Sequence, residues 1–210
     1  MSKPSVLVNL YATILDPRFF MTFLNFYREN QNNIELCFQW RIMIHDAQRK
    51  GADAAVEHEY EYLLNLEDDT TMIPEGTLQR LIDHDKDVVA PWVVSRHPPH
   101  EPTARKLVEG RLTTPGSLSC GLRPGNGVME CDLIGMQFTL IKTSALKKLS
   151  KPWFFYGECG CTDQYFSQKC IDEGVKKYCD TDLCIEHDGV GVQHYNAMKQ
   201  MQKTDGVRWN

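Results

Sequence analysis

Glu67, Asp68 and Asp69 stand side by side where the apolar run "YEYLLNL" (Tyr60–Leu66) gives out and "TTMIPEGTLQRL" begins. Adjacent carboxylates repel one another unless a cation or hydrogen-bond donors intervene, and hard divalent ions such as Mg²⁺ and Mn²⁺ take oxygen ligands and bridge to phosphate oxygens. A solvated acidic loop in front of a helix is the plainer alternative. Asp163, in "TDQYFSQKCIDEG", opens a helix-like segment, where a carboxylate serves either as a general base or as a helix cap. His187, in "CIEHDGVG", follows an apolar strand and precedes glycines, as a site loop does; a structural histidine is the plainer alternative. In "SKPWFFYGECGC", the rings of Trp153, Phe154, Phe155 and Tyr156 offer flat faces on which a planar ligand could stack, or else pack into the core.

These residues need elements to hold them. "SVLVNLY" (Ser5–Tyr11) reads as a strand, and Asp16-Pro17 then opens a helix with Phe19, Phe20, Phe23, Leu24 and Tyr27 on one face. "NIELCFQW" alternates Ile34, Leu36 and Phe38 against Glu35, Cys37 and Gln39, the pattern of a strand. Asp46–Glu59 reads as a helix despite Gly51, Tyr60–Leu66 as a strand, Pro74–His84 as a helix and "DVVAPWVV" as a strand. Strands alternating with helices imply an α/β fold whose mostly parallel central sheet is covered on both faces. From Ser95 to Gly127, prolines and glycines break the pattern into long loops or hairpins, and "MECDLIGMQFTLIKTSALKKL" then reads as a strand passing into a short helix. In open parallel sheets ligands bind beyond the carboxyl ends of the strands, which is where Glu67, Asp68 and Asp69 fall.

Composition narrows the classes. The 210 residues are 42% hydrophobic and 24% charged, ordinary for a globular chain, and suit one domain. A formal charge of −5 argues against general binding to nucleic-acid backbone. No apolar run approaches the length of a membrane span, and the start lacks a secretory pattern, so a soluble, cytoplasmic protein is expected. The eight cysteines, among them Cys159, Cys161, Cys170, Cys179 and Cys184, show no paired C-x-x-C spacing, so reduced thiols are expected over structural zinc or disulfides. Phosphate-loop and dinucleotide glycine motifs are absent, which removes kinase and dehydrogenase readings.

The block "LLNLEDDTTMIPEGTLQRLIDHDKDVVAPWV", followed by "DLIGMQFTLIKTSALKKLSKPWF" and "CTDQYFSQKCIDEGVKKYCDTDLCIEHDGVG", resembles the GT-A glycosyltransferases, especially the family-2-like inverting enzymes. The likeness covers most of Tyr60–Gly191; the first 59 residues agree in layout alone. It implies a single glycosyltransferase-like domain over 1–210, with a nucleotide-sugar half (1–94), an acceptor and catalytic half (95–191) and a C-terminal tail (192–210).

By this resemblance Glu67 and Asp69 are the outer positions of a D-x-D-type motif, with Asp68 between them and Glu67 standing where Asp is usual. Asp69, with Glu67 and His187, would hold Mn²⁺ or Mg²⁺; Glu67 and Asp68, with Asn9, Tyr11 and Asp16, would line the nucleotide pocket. Asp163 would be the base, although many relatives carry Glu where this chain has Thr162. Trp153, Phe154 and Tyr156 would meet the acceptor. The implied reaction moves a sugar from a nucleotide-diphosphate donor, a UDP-sugar foremost, to an acceptor hydroxyl with inversion. The alternatives are nucleotidyl transfer on a similar fold and an inert carbohydrate- or protein-binding module.

Overall fold

The computed structural model describes residues 5–13, 16–113, 118–156 and 161–205, with side chains through residue 200. Its strands are β1 (Val6–Ala12), β2 (Ile34–Trp40), β3 (Tyr62–Glu67), β4 (Thr70–Met72), β5 (Val88–Trp92), β6 (Arg105–Glu109), β7 (Leu118–Gly121), β8 (Val128–Cys131), β9 (Phe138–Lys142), β10 (Lys177–Cys184) and β11 (Glu186–His187). The helices are α1 (Pro17–Asn30), α2 (Ile44–Glu57), α3 (Thr77–Asp83), α4 (Thr143–Leu146), α5 (Thr162–Asp172) and α6 (Val192–Asp205).

A seven-stranded sheet in the order β2-β1-β3-β9-β5-β10-β8 forms the centre. β1, β2, β3, β5 and β10 run one way, and β9 and β8 run against them. The expected α/β architecture is therefore present. β1 is buried along its whole length, as a strand covered on both faces must be. Val6, Val8 and Leu10 enter one apolar cluster with Phe19 and Phe26 of α1 and Leu78 and Leu81 of α3. Leu7 and Leu63 enter the other, with Ala52 and Ala55 of α2 and Phe166 of α5. The period-2 alternation of a strand thus sorts residues between two layers.

Several local expectations are refined. α2 runs straight through Gly51, because a Cβ there would lie 2.3 Å from Cγ of Asn9. Glycine lets the helix close on β1, and the lost propensity is the cost of that approach. Pro74 precedes α3 rather than opening it; Gly76, at φ 76°, precedes its first residue, Thr77. Pro91 is tolerated inside β5 because β9 pairs with that strand only through Val88 and Val89. In β2 the alternation holds, yet Leu36, Phe38 and Trp40 are exposed, since β2 is the edge of the sheet. The single strand expected over "MECDLIGMQFTLIK" is two, β8 and β9, and the glycine-rich region before it holds the β6–β7 hairpin. The segment expected to be a tail carries α6, whose Tyr195 packs edge-on against Trp92 at 5.4 Å. Among the described residues, no helix is long and apolar enough to cross a membrane. Cys37, Cys120, Cys131, Cys170, Cys179 and Cys184 are free thiols; Cys159 lies outside the described residues.

The side chain of Asp180 on β10 is 0% exposed and receives Arg80 of α3 through Nε at 2.6 Å and Nη2 at 2.9 Å, with Nε2 of His84 at 2.7 Å. Burial works against its charge, but these hydrogen bonds prevail and hold the carboxyl below its ordinary value. A carboxylate with a depressed folded-state pKa stabilises above its unfolded pKa, and that contribution is lost as pH falls through the folded value. Asp180→Asn is accordingly expected to cost about 1.5–3 kcal/mol at neutral pH, with the gap from wild type closing below about pH 4, as urea titrations across pH would report. Gly51→Ala is expected to destabilise by about 1–3 kcal/mol, opposite in sign to helix propensity, because the added methyl meets Asn9. Thermal melts of the two proteins check this.

Candidate active site

The parallel strands β1, β3 and β5 deliver their carboxyl ends to one rim of the sheet, and Glu67 is the last residue of β3. The chain turns at Asp68 and Asp69 and returns as β4, whose antiparallel partner is β11, with His187 opposite Thr70. The Asp188 backbone N–H donates to the carbonyl of Asp69 at 2.7 Å, fixing the two turns to each other. Glu67, Asp69 and His187 consequently offer one ligand atom each, all within 4.8 Å of one another.

Each member is oriented by neighbours. The Tyr11 hydroxyl, at the end of β1, donates to Oε1 of Glu67 at 2.9 Å and accepts from Nε2 of Gln48 at 3.2 Å. Nδ1 of His187 lies 3.1 Å from the carbonyl of Val94, an acceptor, so that nitrogen carries a proton and Nε2 is directed at Oδ2 of Asp69, 3.0 Å away. A histidine held by a backbone carbonyl at one nitrogen presents the other to a metal. Oδ1 of Asp69 is buried and, among the described residues, without a hydrogen-bond partner. Two carboxylates, one of them with that orphaned oxygen, and one imidazole fit a divalent cation such as Mn²⁺ or Mg²⁺, with coordination positions left for other ligands.

The electrostatics follow from crowding. Burial pushes the Glu67 carboxyl up, and the nearby charges of Asp69 and Asp163 push it further, against the pull of His187 and Tyr11. Burial also opposes the charge on Asp69, but His187 and Arg96 prevail and its carboxyl lies below the ordinary value. For His187 the partner again outweighs burial, and Asp69 raises its pKa. Arg96, in the loop after β5, donates through Nη1 to Oδ2 of Asp69 at 2.8 Å.

Asp163 sits in the first turn of α5, but it is not the cap: Sγ of Cys161 accepts from the Gln164 N–H at 3.4 Å. Burial pushes the Asp163 carboxyl up to about 6, partly offset by hydrogen bonds from Thr162 and the Met136 backbone. It lines a cleft of about 380 Å³ together with Ser95, Glu101, Arg105, Gln137 and His187. A carboxylate titrating near neutrality at the wall of a cleft suits proton abstraction from a bound hydroxyl.

The other sequence-derived candidates divide. Asp68 accepts the Thr13 N–H at 2.6 Å, fastening the loop after β1 to the end of β3. Asn9 is 0% exposed, bonded to the Ala47 carbonyl and to Asn65 beneath α2, so it is a core residue rather than a pocket wall. Asp16 caps α1, accepting from the Arg18 N–H at 2.7 Å, and pairs with the Arg18 side chain, which also reaches Asp188 at 2.8 Å. Trp153 and Phe154 are buried, Trp153 donating to the Leu146 carbonyl at 2.9 Å and Phe154 stacking on Phe166, so neither presents a face to a ligand. Tyr156 and Phe155 are exposed. Arg96, Gln48 and the cleft residues Glu101, Arg105 and Gln137 were not singled out in the sequence. For Arg96 a signal existed, since it too follows the carboxyl end of a parallel strand.

No protein-family model matches the chain, and a search of curated proteins finds no relative. Solved structures do resemble it. A197 from STIV superposes with a TM-score of 0.57 at 18% identity, over 87% of this chain and 84% of that one. GalNAc-T7, solved with UDP, GalNAc and Mn²⁺, superposes with a TM-score of 0.52 at 12% identity, over 87% of this chain and 43% of that one. At such identities the likeness is one of fold, and the chain has a Rossmann-like α/β fold of the GT-A kind.

Proposed function

We propose that the protein is a glycosyltransferase that uses a divalent cation and a nucleotide-diphosphate sugar, a UDP-sugar foremost, and transfers the sugar to an acceptor hydroxyl with inversion. The observation that carries this reading is the gathering of Glu67, Asp69 and His187 at the strand ends, beside a cleft walled by Asp163. The fold shared with GalNAc-T7 supports it.

Glu67, Asp69 and His187 would hold the cation, whose chemical contribution when bound is to neutralise negative charge developing on the departing diphosphate. The imidazole in this set favours Mn²⁺ over Mg²⁺. Tyr11 fixes the Glu67 carboxylate, and Asp68 holds the loop after β1 in register with it, so both act as positioning residues. Asp163 takes the proton from the acceptor hydroxyl as that oxygen attacks the anomeric carbon and the bond to the diphosphate breaks. The cleft residues Ser95, Glu101, Arg105 and Gln137 supply polar groups suited to a hydroxylated acceptor.

UDP is expected to bind at least about tenfold more tightly with Mn²⁺ than with chelator, and Asp69→Ala to abolish the difference; titration calorimetry checks both, and equal affinity in wild type would refute the cation's role. Asp163→Asn is expected to leave nucleotide affinity intact and to slow transfer by about 10²–10⁴-fold. The base works only when deprotonated, so kcat/KM of the wild type should fall as pH drops through about 6, and the Asn variant should lack that limb. The comparison requires transfer rates across pH for both proteins. Nucleoside diphosphate as product distinguishes this chemistry from nucleotidyl transfer, which releases pyrophosphate.

A further inference from the structure

Arg96 occupies an unusual place for a half-exposed arginine. Its guanidinium meets Oδ2 of Asp69, the same oxygen that faces Nε2 of His187, while Oδ1 has no partner. Among the described residues Asp69 is its only ion-pair partner, and its other side-chain contact is Nε2 of His97 at 3.4 Å. A cation arriving at Glu67, Asp69 and His187 would bring like charge against the guanidinium. Arg96 would then have to leave Asp69, its one ion-pair partner among the described residues, and a ligand carrying an anion would give it a new one. Arginine's planar fork matches phosphate oxygens, and the loop after β5 lies at the strand-end rim where such a ligand would bind.

We propose that Arg96 is a diphosphate-binding residue that rests on Asp69 in the ligand-free protein, so that a divalent cation alone must displace it whereas cation and nucleoside diphosphate together give it a new partner. Cation and nucleotide then bind cooperatively, each strengthening the other by the same factor. This rests on the cation site of the proposed function.

The test uses Arg96→Gln and Arg96→Lys in the full-length chain, with Mn²⁺ affinity measured by electron paramagnetic resonance without nucleotide, and UDP affinity by calorimetry at saturating Mn²⁺. For Arg96→Gln, Mn²⁺ alone should bind up to about fivefold more tightly, the worth of a half-exposed ion pair. UDP should bind about tenfold or more weakly, the worth of a hydrogen bond to a charged group. Arg96→Lys, which keeps the charge and loses the fork, should fall between wild type and Gln in both. These changes of opposite sign are not expected of a residue that only braces the loop. If wild type takes up Mn²⁺ but Arg96→Gln leaves either affinity unchanged, or weakens Mn²⁺ binding, the role of Arg96 is overturned and the cation site stands. If wild type takes up no Mn²⁺ with or without UDP, both fall.

Discussion

The pairing of β4 with β11 is the contact on which the rest of the site depends. Two short strands, far apart in sequence, set His187 opposite Thr70 and tie the backbone of Asp188 to that of Asp69. Without it, the acids at the end of β3 would form an ordinary acidic turn. With it, an imidazole oriented by the Val94 carbonyl faces two carboxylates. The outer bracing is ionic: Arg18 links the cap of α1 to Asp188 and so holds the β11 turn against the first helix.

Three acidic side chains, Glu67, Asp69 and Asp163, are gathered at this rim, close enough to influence one another. Burial keeps Glu67 and Asp163 raised in pKa, with the charges of Asp69 and Asp163 adding to the effect on Glu67, while His187 and Arg96 stabilise Asp69. Crowding of this kind costs folding energy, and it is retained where the charges have a task. Elsewhere the chain compensates its buried acid fully, as the Arg80 and His84 contacts to Asp180 illustrate. The contrast between the satisfied Asp180 and the orphaned Oδ1 of Asp69 separates a structural carboxylate from a candidate ligand.

Much of this was legible in the sequence because the larger elements carry strong periodic signals. Buried runs such as "VLVNLY" and "YLLNL", separated by helical patterns, require a covered parallel sheet, and the strand-end rule then places Glu67 and Asp69. What eluded the sequence has physical reasons. β4 and β11 are too short to show alternation, so the meeting of His187 with Asp69 followed only from family resemblance. Asn9 and Trp153 were misjudged because polarity and aromaticity do not reveal which side of a layer a residue faces; a close helix crossing at Gly51 buries the first, and the carbonyls of Leu146, the last residue of α4, and Leu149 capture the indole of the second. Arg96 follows the end of a strand that was legible, but a single arginine in a proline-rich loop belongs to no motif that would single it out.

The central claim is that Glu67, Asp69 and His187 form one divalent-cation site serving a nucleoside diphosphate. Anomalous diffraction at the manganese edge, from crystals grown with MnCl₂ and UDP, tests it most directly. The account expects a single strong peak within bonding distance of all three side chains, with UDP phosphate density beside it. A site elsewhere, or ordered UDP at this rim without manganese, would contradict it.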